Sequence, residues 1–189
     1  MPSSKLVTLT RDLLLASPLH LECLRVARTL ALPDWYLGAG FVRNLIWDHL
    51  HHNAIATPLK DIDLIYLDPS DPEGRREAEY ESHARTLLPT EHWEVRNQAR
   101  MHHRQGVPPF ASSLDALAHW VELPTCIGAR LEQDDSLTLV APHGIAHNWS
   151  LDVAPNPLCR QDPAVFTARV TEKRWQALWP NLQILWPAQ

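Results

Sequence analysis

Between residues 8 and 30 the apolar positions Leu13, Leu14, Leu21, Leu24 and Val26 fall on one stripe, with Thr10 and Ser17 able to cap. That pattern predicts a helix, ended by Pro33-Asp34. "WYLGA" at 35–39 predicts a short strand, and Phe41 to His49 an amphipathic helix. Residues 51–60 predict a loop. The apolar run "DIDLIYL" at 61–67 predicts a buried strand. "DPSDPEG" turns into a charged helix at about 73–87, and "HWEVRNQARMH" predicts a strand at about 92–101. Beyond the loop "HRQGVPPFASS", Ser113 to Val121 predicts a short helix, and "CIGARLEQDDSLTLVA" a hairpin turning at Asp134-Asp135. "DPAVFTARVTEKRWQALWP" closes the chain as a helix, capped by Asp162 with Pro163 in its first turn. The order of elements is that of an α+β fold, with an early strand–helix–strand unit and a small helix and hairpin region towards the C-terminus.

The 189 residues suit a single domain spanning 1–189, with a core at about 8–105 and an accessory region at about 106–189. Apolar residues make up 45 %, enough for a sizeable core, and the net charge of −5 argues against a broad basic surface for long nucleic acid. Cys23, Cys126 and Cys159 have neither metal-ligand spacing nor a disulfide framework. With no signal-type leader and no apolar run near ~20 residues, the expectation is a cytoplasmic protein with no membrane partner. His49, His51 and His52 lack cysteine partners and the His-Glu-x-x-His pattern, which disfavours zinc.

The chemistry concentrates in two stretches, "YLGAGFVRNLIWDHL" and "KDIDLIYLD". Alternation along a strand puts Asp61 and Asp63 on one face, about 6–7 Å apart. Like charges that close call for a cation, and Mg²⁺ favours one or two carboxylates with substrate phosphates. Gly38, Ala39 and Gly40 make a small-residue turn that lets a ligand approach the backbone, and the helix that follows offers free N–H groups to an anion. Carboxylates for metal and donors for phosphate together make a site for a nucleoside triphosphate.

These stretches resemble the head motif of the DNA-polymerase-β-type nucleotidyltransferase superfamily. The match is particularly similar to CCA-adding tRNA nucleotidyltransferases and bacterial poly(A) polymerases, where Gly-Gly-x-Val-Arg-Asp precedes Lys-Asp-x-Asp. Ala39-Gly40 takes the Gly-Gly place, and Val42-Arg43-Asn44 the Val-Arg-Asp place. With "WEVRNQARMHHRQG", "DALAHW", "IGARL" and "APHG", the wider chain is similar to a small bacterial family of nucleotidyltransferase-like proteins over roughly 20–180. The gap from Gly40 to Asp61 is longer than usual, so residues 50–58 must loop out. Later signatures of the CCA-adding enzymes are missing, so the resemblance does not imply tRNA as substrate.

The resemblance implies a nucleotidyltransferase-like mixed sheet flanked by helices. It also implies Mg²⁺-dependent transfer of a nucleoside monophosphate from an NTP to an acceptor hydroxyl. Asp61 and Asp63 would hold the metal, and Glu94 on the next strand would be the third catalytic carboxylate, with Asp152 the alternative. Gly38, Ala39, Gly40, Arg43, Asn44, Lys60 and Arg96 would contact the nucleotide. Asp68 reads as a turn residue, Asn97 and Gln98 as hydrogen-bonding braces, and Arg100 shares Glu94's face by parity. The acidic charge favours a small-molecule or protein acceptor over long RNA. A catalytically inactive nucleotide- or protein-binding scaffold, or a toxin-type member, stays open.

Overall fold

A computed structural model of the chain describes residues 2–159 and 161–187. Its centre is a five-stranded mixed sheet in the order β3-β2-β1-β4-β5, formed by β1 (Tyr36–Gly38), β2 (Ile62–Tyr66), β3 (Trp93–Asn97), β4 (Gly128–Leu131) and β5 (Leu137–Val140). Only β2 and β3 pair in parallel; β2–β1, β1–β4 and β4–β5 are antiparallel. The hairpin turns at Asp134-Asp135 as expected, with Asp135 in the left-handed region at φ 62°.

Alternation in β2 and β3 creates two unlike faces. Ile62, Leu64, Tyr66, Trp93 and Val95 point one way and are fully buried. Against them pack α1 (Ser3–Ala16), α2 (Pro18–Thr29), α3 (Gly40–Leu50) and α4 (Glu77–Leu87), supplying Leu6, Leu14, Leu24, Phe41, Ile46 and Ala84. The other face carries Asp63, Ile65, Glu94 and Arg96 and is only partly covered. There Ile65 packs with Tyr36 and with Leu117 of α5 (Ser113–Leu117).

The expected helix at 8–30 is two helices. Ser17, extended at φ −94° and ψ 110°, separates them, and Pro18 opens the second. Proline suits a first helical turn, where its missing N–H costs nothing, but not the interior of one continuous helix. The strand expected at 92–101 ends at Asn97, whose side chain accepts from the Ala99 N–H and caps a 3₁₀ segment, Gln98–Gln105. Arg100 therefore leaves Glu94's face and pairs with Glu77, its Nη2 donating at 2.8 Å. Asn97 is the brace expected of it: its amide donates to the carbonyls of Asp68 and Asp71, and its oxygen accepts from the Asp68 N–H. Asp68 is a turn residue, accepting from the Ser70 N–H at 2.9 Å.

The closing helix is capped by Asp162, as expected, but it breaks at Arg174, which is left-handed at φ 48°. The result is α6 (Pro163–Lys173) and α7 (Trp175–Leu178). A parallel two-stranded pair brackets these helices in the chain, β6 (Asp152–Val153) before them and β7 (Gln183–Ile184) after. This C-terminal segment builds a second core of Val153, Phe166, Val170, Trp175, Trp179 and Leu182 around Trp47. Helix α3 thus serves both cores, with Phe41, Val42 and Ile46 under the sheet and Trp47 beneath the C-terminal segment.

Candidate active site

The β1–α3 turn and the end of the 51–61 loop meet the partly covered face of β2 and β3. Asp61 immediately precedes β2 and Asp63 lies within it, so both project from that face. The parallel register sets Glu94 beside Asp63. Burial first, then the charges of Asp61 and Glu94, push the Asp63 carboxyl up to about 6; Arg43 and Lys173 pull the other way. Crowding by two neighbouring carboxylates and burial both disfavour the charged Asp63, which a cation beside it would relieve.

Helix α3 begins at Gly40, straight after Ala39 at φ 50° and ψ −122°. Its start lines a cavity of about 280 Å³, together with Ala39, Arg43, Asn44, Lys60, Asp61, Asp63 and Glu94. Arg43 is buried, and its Nη2 donates to Asn44 Oδ1 at 2.9 Å. Its guanidinium carbon lies 4.9 Å from the Trp47 ring centre and 4.7 Å from that of Trp175. Its Nε has no hydrogen-bond partner among the described residues. Burial brings the guanidinium down to about 10, opposed by Glu122, Asp63 and Asp61.

A second cavity, of about 320 Å³, lies against the first and shares Ala39, Asp63, Glu94 and Arg169 with it. Arg96 belongs to this second cavity, bridging to Glu81 at 3.1 Å and Glu94 at 3.7 Å. Gly38 stands behind the turn: a Cβ there would come within 2.9 Å of the Trp120 ring, so the glycine lets that indole pack. Asp152 is exposed on β6 and lines neither cavity.

The sequence did not reveal the far wall. Arg169 and Lys173 of α6, with Trp175, Leu178 and Trp179, close the first cavity opposite α3. Arg169 Nε donates to the fully buried Glu122 at 2.6 Å, which ties α6 to the 122–125 turn. The available signal was charge spacing: Arg169 and Lys173 are like charges at i and i+4, unfavourable on a helix unless something anionic faces them.

Among the described residues no three His, Cys, Asp or Glu side chains converge closely enough to hold a metal by themselves. The donor set still fits Mg²⁺, which takes one or two carboxylates and fills its remaining positions with water and phosphate oxygens. Asp61 and Asp63, which line the first cavity side by side, are the residues that would hold it.

Cationic side chains and paired carboxylates thus line one cavity. A model described as "Nucleotidyltransferase" matches residues 25–184, and the chain belongs to that family. No curated protein matches the sequence. A solved structure described as an NMR structure that "reveals a CCA-adding enzyme head domain" is 31 % identical, with a TM-score of 0.81 over 93 % of this chain and 95 % of that one. A structure described as a tRNA-processing enzyme complex shares the fold at 16 % identity and a TM-score of 0.51, and the chain spans 43 % of it. An apo tRNA-processing enzyme does so at 14 % and 0.50, the chain spanning 44 % of it. The five-stranded mixed sheet with flanking helices is thus the nucleotidyltransferase head fold. No helix among the described residues is long and apolar enough to cross a membrane.

Proposed function

We propose that the chain catalyses Mg²⁺-dependent transfer of a nucleoside monophosphate from an NTP to an acceptor hydroxyl. The observation that carries this reading is the first cavity. It combines the start of an 11-residue helix, the buried Arg43 with an unpartnered Nε, and the Asp61–Asp63 pair. An anion with a cation at its side satisfies all three at once.

In this reading the triphosphate lies along the α3 N-terminus, with Arg43, Lys60 and Lys173 around it. Asn44 holds the Arg43 fork in place. Asp61 and Asp63 bind Mg²⁺, which would neutralise phosphate charge and lower the pKa of the acceptor hydroxyl. Glu94, beside Asp63, receives the hydroxyl proton. The fixed positive groups sit where charge grows on the departing pyrophosphate, and they need no reorganisation when it does.

The test is a thermal-shift titration with ATP and CTP, with and without Mg²⁺, followed by pyrophosphate release. A Mg²⁺-dependent upshift that disappears in Asp61→Ala, with the circular dichroism of that variant unchanged, is the expected outcome. No shift with any NTP would overturn the reading. Nucleotide binding without transfer is the second reading, favoured by the lack of a converged three-carboxylate set. An upshift without pyrophosphate release would select it.

A further inference from the structure

In-line displacement at phosphorus needs the attacking and leaving oxygens on opposite sides of the transferred group. The two cavities meet at Asp63, Glu94 and Arg169, so a phosphorus held beside the carboxylates would have its pyrophosphate leave into the first and be open to a nucleophile from the second. This inference rests on the transfer reading above and adds the acceptor's chemistry.

The second cavity has a particular composition. Its walls include flat and apolar groups, Met101, Phe110, Trp120 and Val121. Trp120 is fixed by its packing on Gly38, and the Glu122–Arg169 pair fixes the wall next to it. Of the three arginines among its described lining residues, two are already committed, Arg96 to Glu81 and Glu94, and Arg169 to Glu122. Arg104, exposed at the rim, is the lining arginine with no ion pair among the described residues. A polymer held by its backbone would need several such cations, whereas a volume of about 320 Å³ suits one compact molecule.

We infer that the second cavity is an acceptor site for a small molecule with a flat ring, a hydroxyl and a single anionic group. The ring lies along Trp120, the anion meets Arg104, and the hydroxyl reaches Asp63 and Glu94. The hydroxyl oxygen forms a bond to the α-phosphorus of the NTP. The bond from that phosphorus to the bridging oxygen breaks, pyrophosphate leaves with the electron pair, and the hydroxyl proton passes to Glu94.

The purified chain is given Mg²⁺ and α-labelled ATP or CTP with four probes. Adenosine 5′-monophosphate and 4-hydroxyphenylacetate separate a phosphate anion from a carboxylate. Adenosine is the neutral control, and an RNA hairpin with a single-stranded 3′ end is the polymer arm. The expected result is label on at least one small anion, with adenosine and the hairpin poor acceptors. Arg104→Glu should lower kcat/KM for that acceptor about tenfold, Arg104→Lys should restore much of it, and ATP affinity measured without acceptor should not move. Label on the hairpin alone, equal label on adenosine, or ATP binding with no label on either small anion would overturn the inference. Loss of ATP binding by the unmodified chain would instead overturn the nucleotidyl-transfer reading beneath it.

Discussion

The indole Nε1 of Trp179 donates to Asp48 Oδ1 at 2.8 Å. The same buried carboxylate accepts from the Asn53 amide at 2.8 Å and from the Thr57 N–H and hydroxyl, each at 2.7 Å. Thr57 and Trp179 both line the first cavity, on different walls. One side chain at the end of α3 therefore sets the distance between the loop that leads to Lys60 and Asp61 and the segment that follows Lys173.

Asp48→Ala leaves four donors without their acceptor, one on the buried Trp179, two on the half-buried Thr57 and one on the exposed Asn53. A loss of about 3 kcal/mol is expected in a urea melt. Asp48→Asn keeps one oxygen acceptor and should fold. With its loop loosened, its KM for NTP should rise more than its kcat falls, whereas a residue that only supports the core would leave KM alone.

The Asp63 carboxyl, raised to about 6 in the folded chain, makes stability depend on pH. Between the ordinary Asp value and 6, the folded state binds more protons than the unfolded one, so stability falls as pH rises through that window. Asp63→Asn removes the charge and should stabilise the metal-free protein at pH 7 by about 1–2 kcal/mol, allowing for water in the cavity. It should also abolish transfer. Millimolar Mg²⁺ should flatten the fall in the unmodified chain and leave Asp63→Asn unaffected, as read by melting temperature against pH.

Ala39 holds φ 50° and ψ −122°, a conformation strained for any residue with a Cβ. Glycine there relieves strain of about 1–3 kcal/mol while costing roughly 1 kcal/mol in unfolded-chain entropy. Ala39→Gly should raise the melting temperature by about 2–4 °C. An unchanged or lower value would show that the turn relaxes around alanine.

Lys173 ends α6, half-buried, with its charge felt at Asp63. Lys173→Ala should weaken NTP binding about tenfold by isothermal calorimetry, and nucleoside binding hardly at all. Its melting temperature should fall by no more than about 2–4 °C, because Lys173 is only half-buried.

Much of the site was legible because its logic is local. Parity alone put Asp61 and Asp63 on one face, and a glycine-rich turn before a helix is a property of consecutive residues. Glu94 was reachable because β3 is the next strand, although its place beside Asp63 depends on a parallel register that alternation does not specify. Arg100 was misplaced because the strand stops at Asn97, where the side chain turns back to cap the next segment. Pro18 and Arg174 broke two expected helices, the first through an extended Ser17 and the second through a left-handed arginine that only tertiary packing can hold. The far wall was hidden for the same reason. Arg169, Lys173 and Trp179 line the cavity of the carboxylates because the C-terminal segment packs back over Trp47 of α3.

That return has a temporal side. The ribosome delivers the motif residues of α3 and β2 long before it delivers the cations and indoles that face them. A nascent chain holding only the first half exposes crowded carboxylates and a bare Trp47 to water. In the transfer reading proposed above, a chain without its last helices would hold the carboxylates but lack the cations that line their cavity.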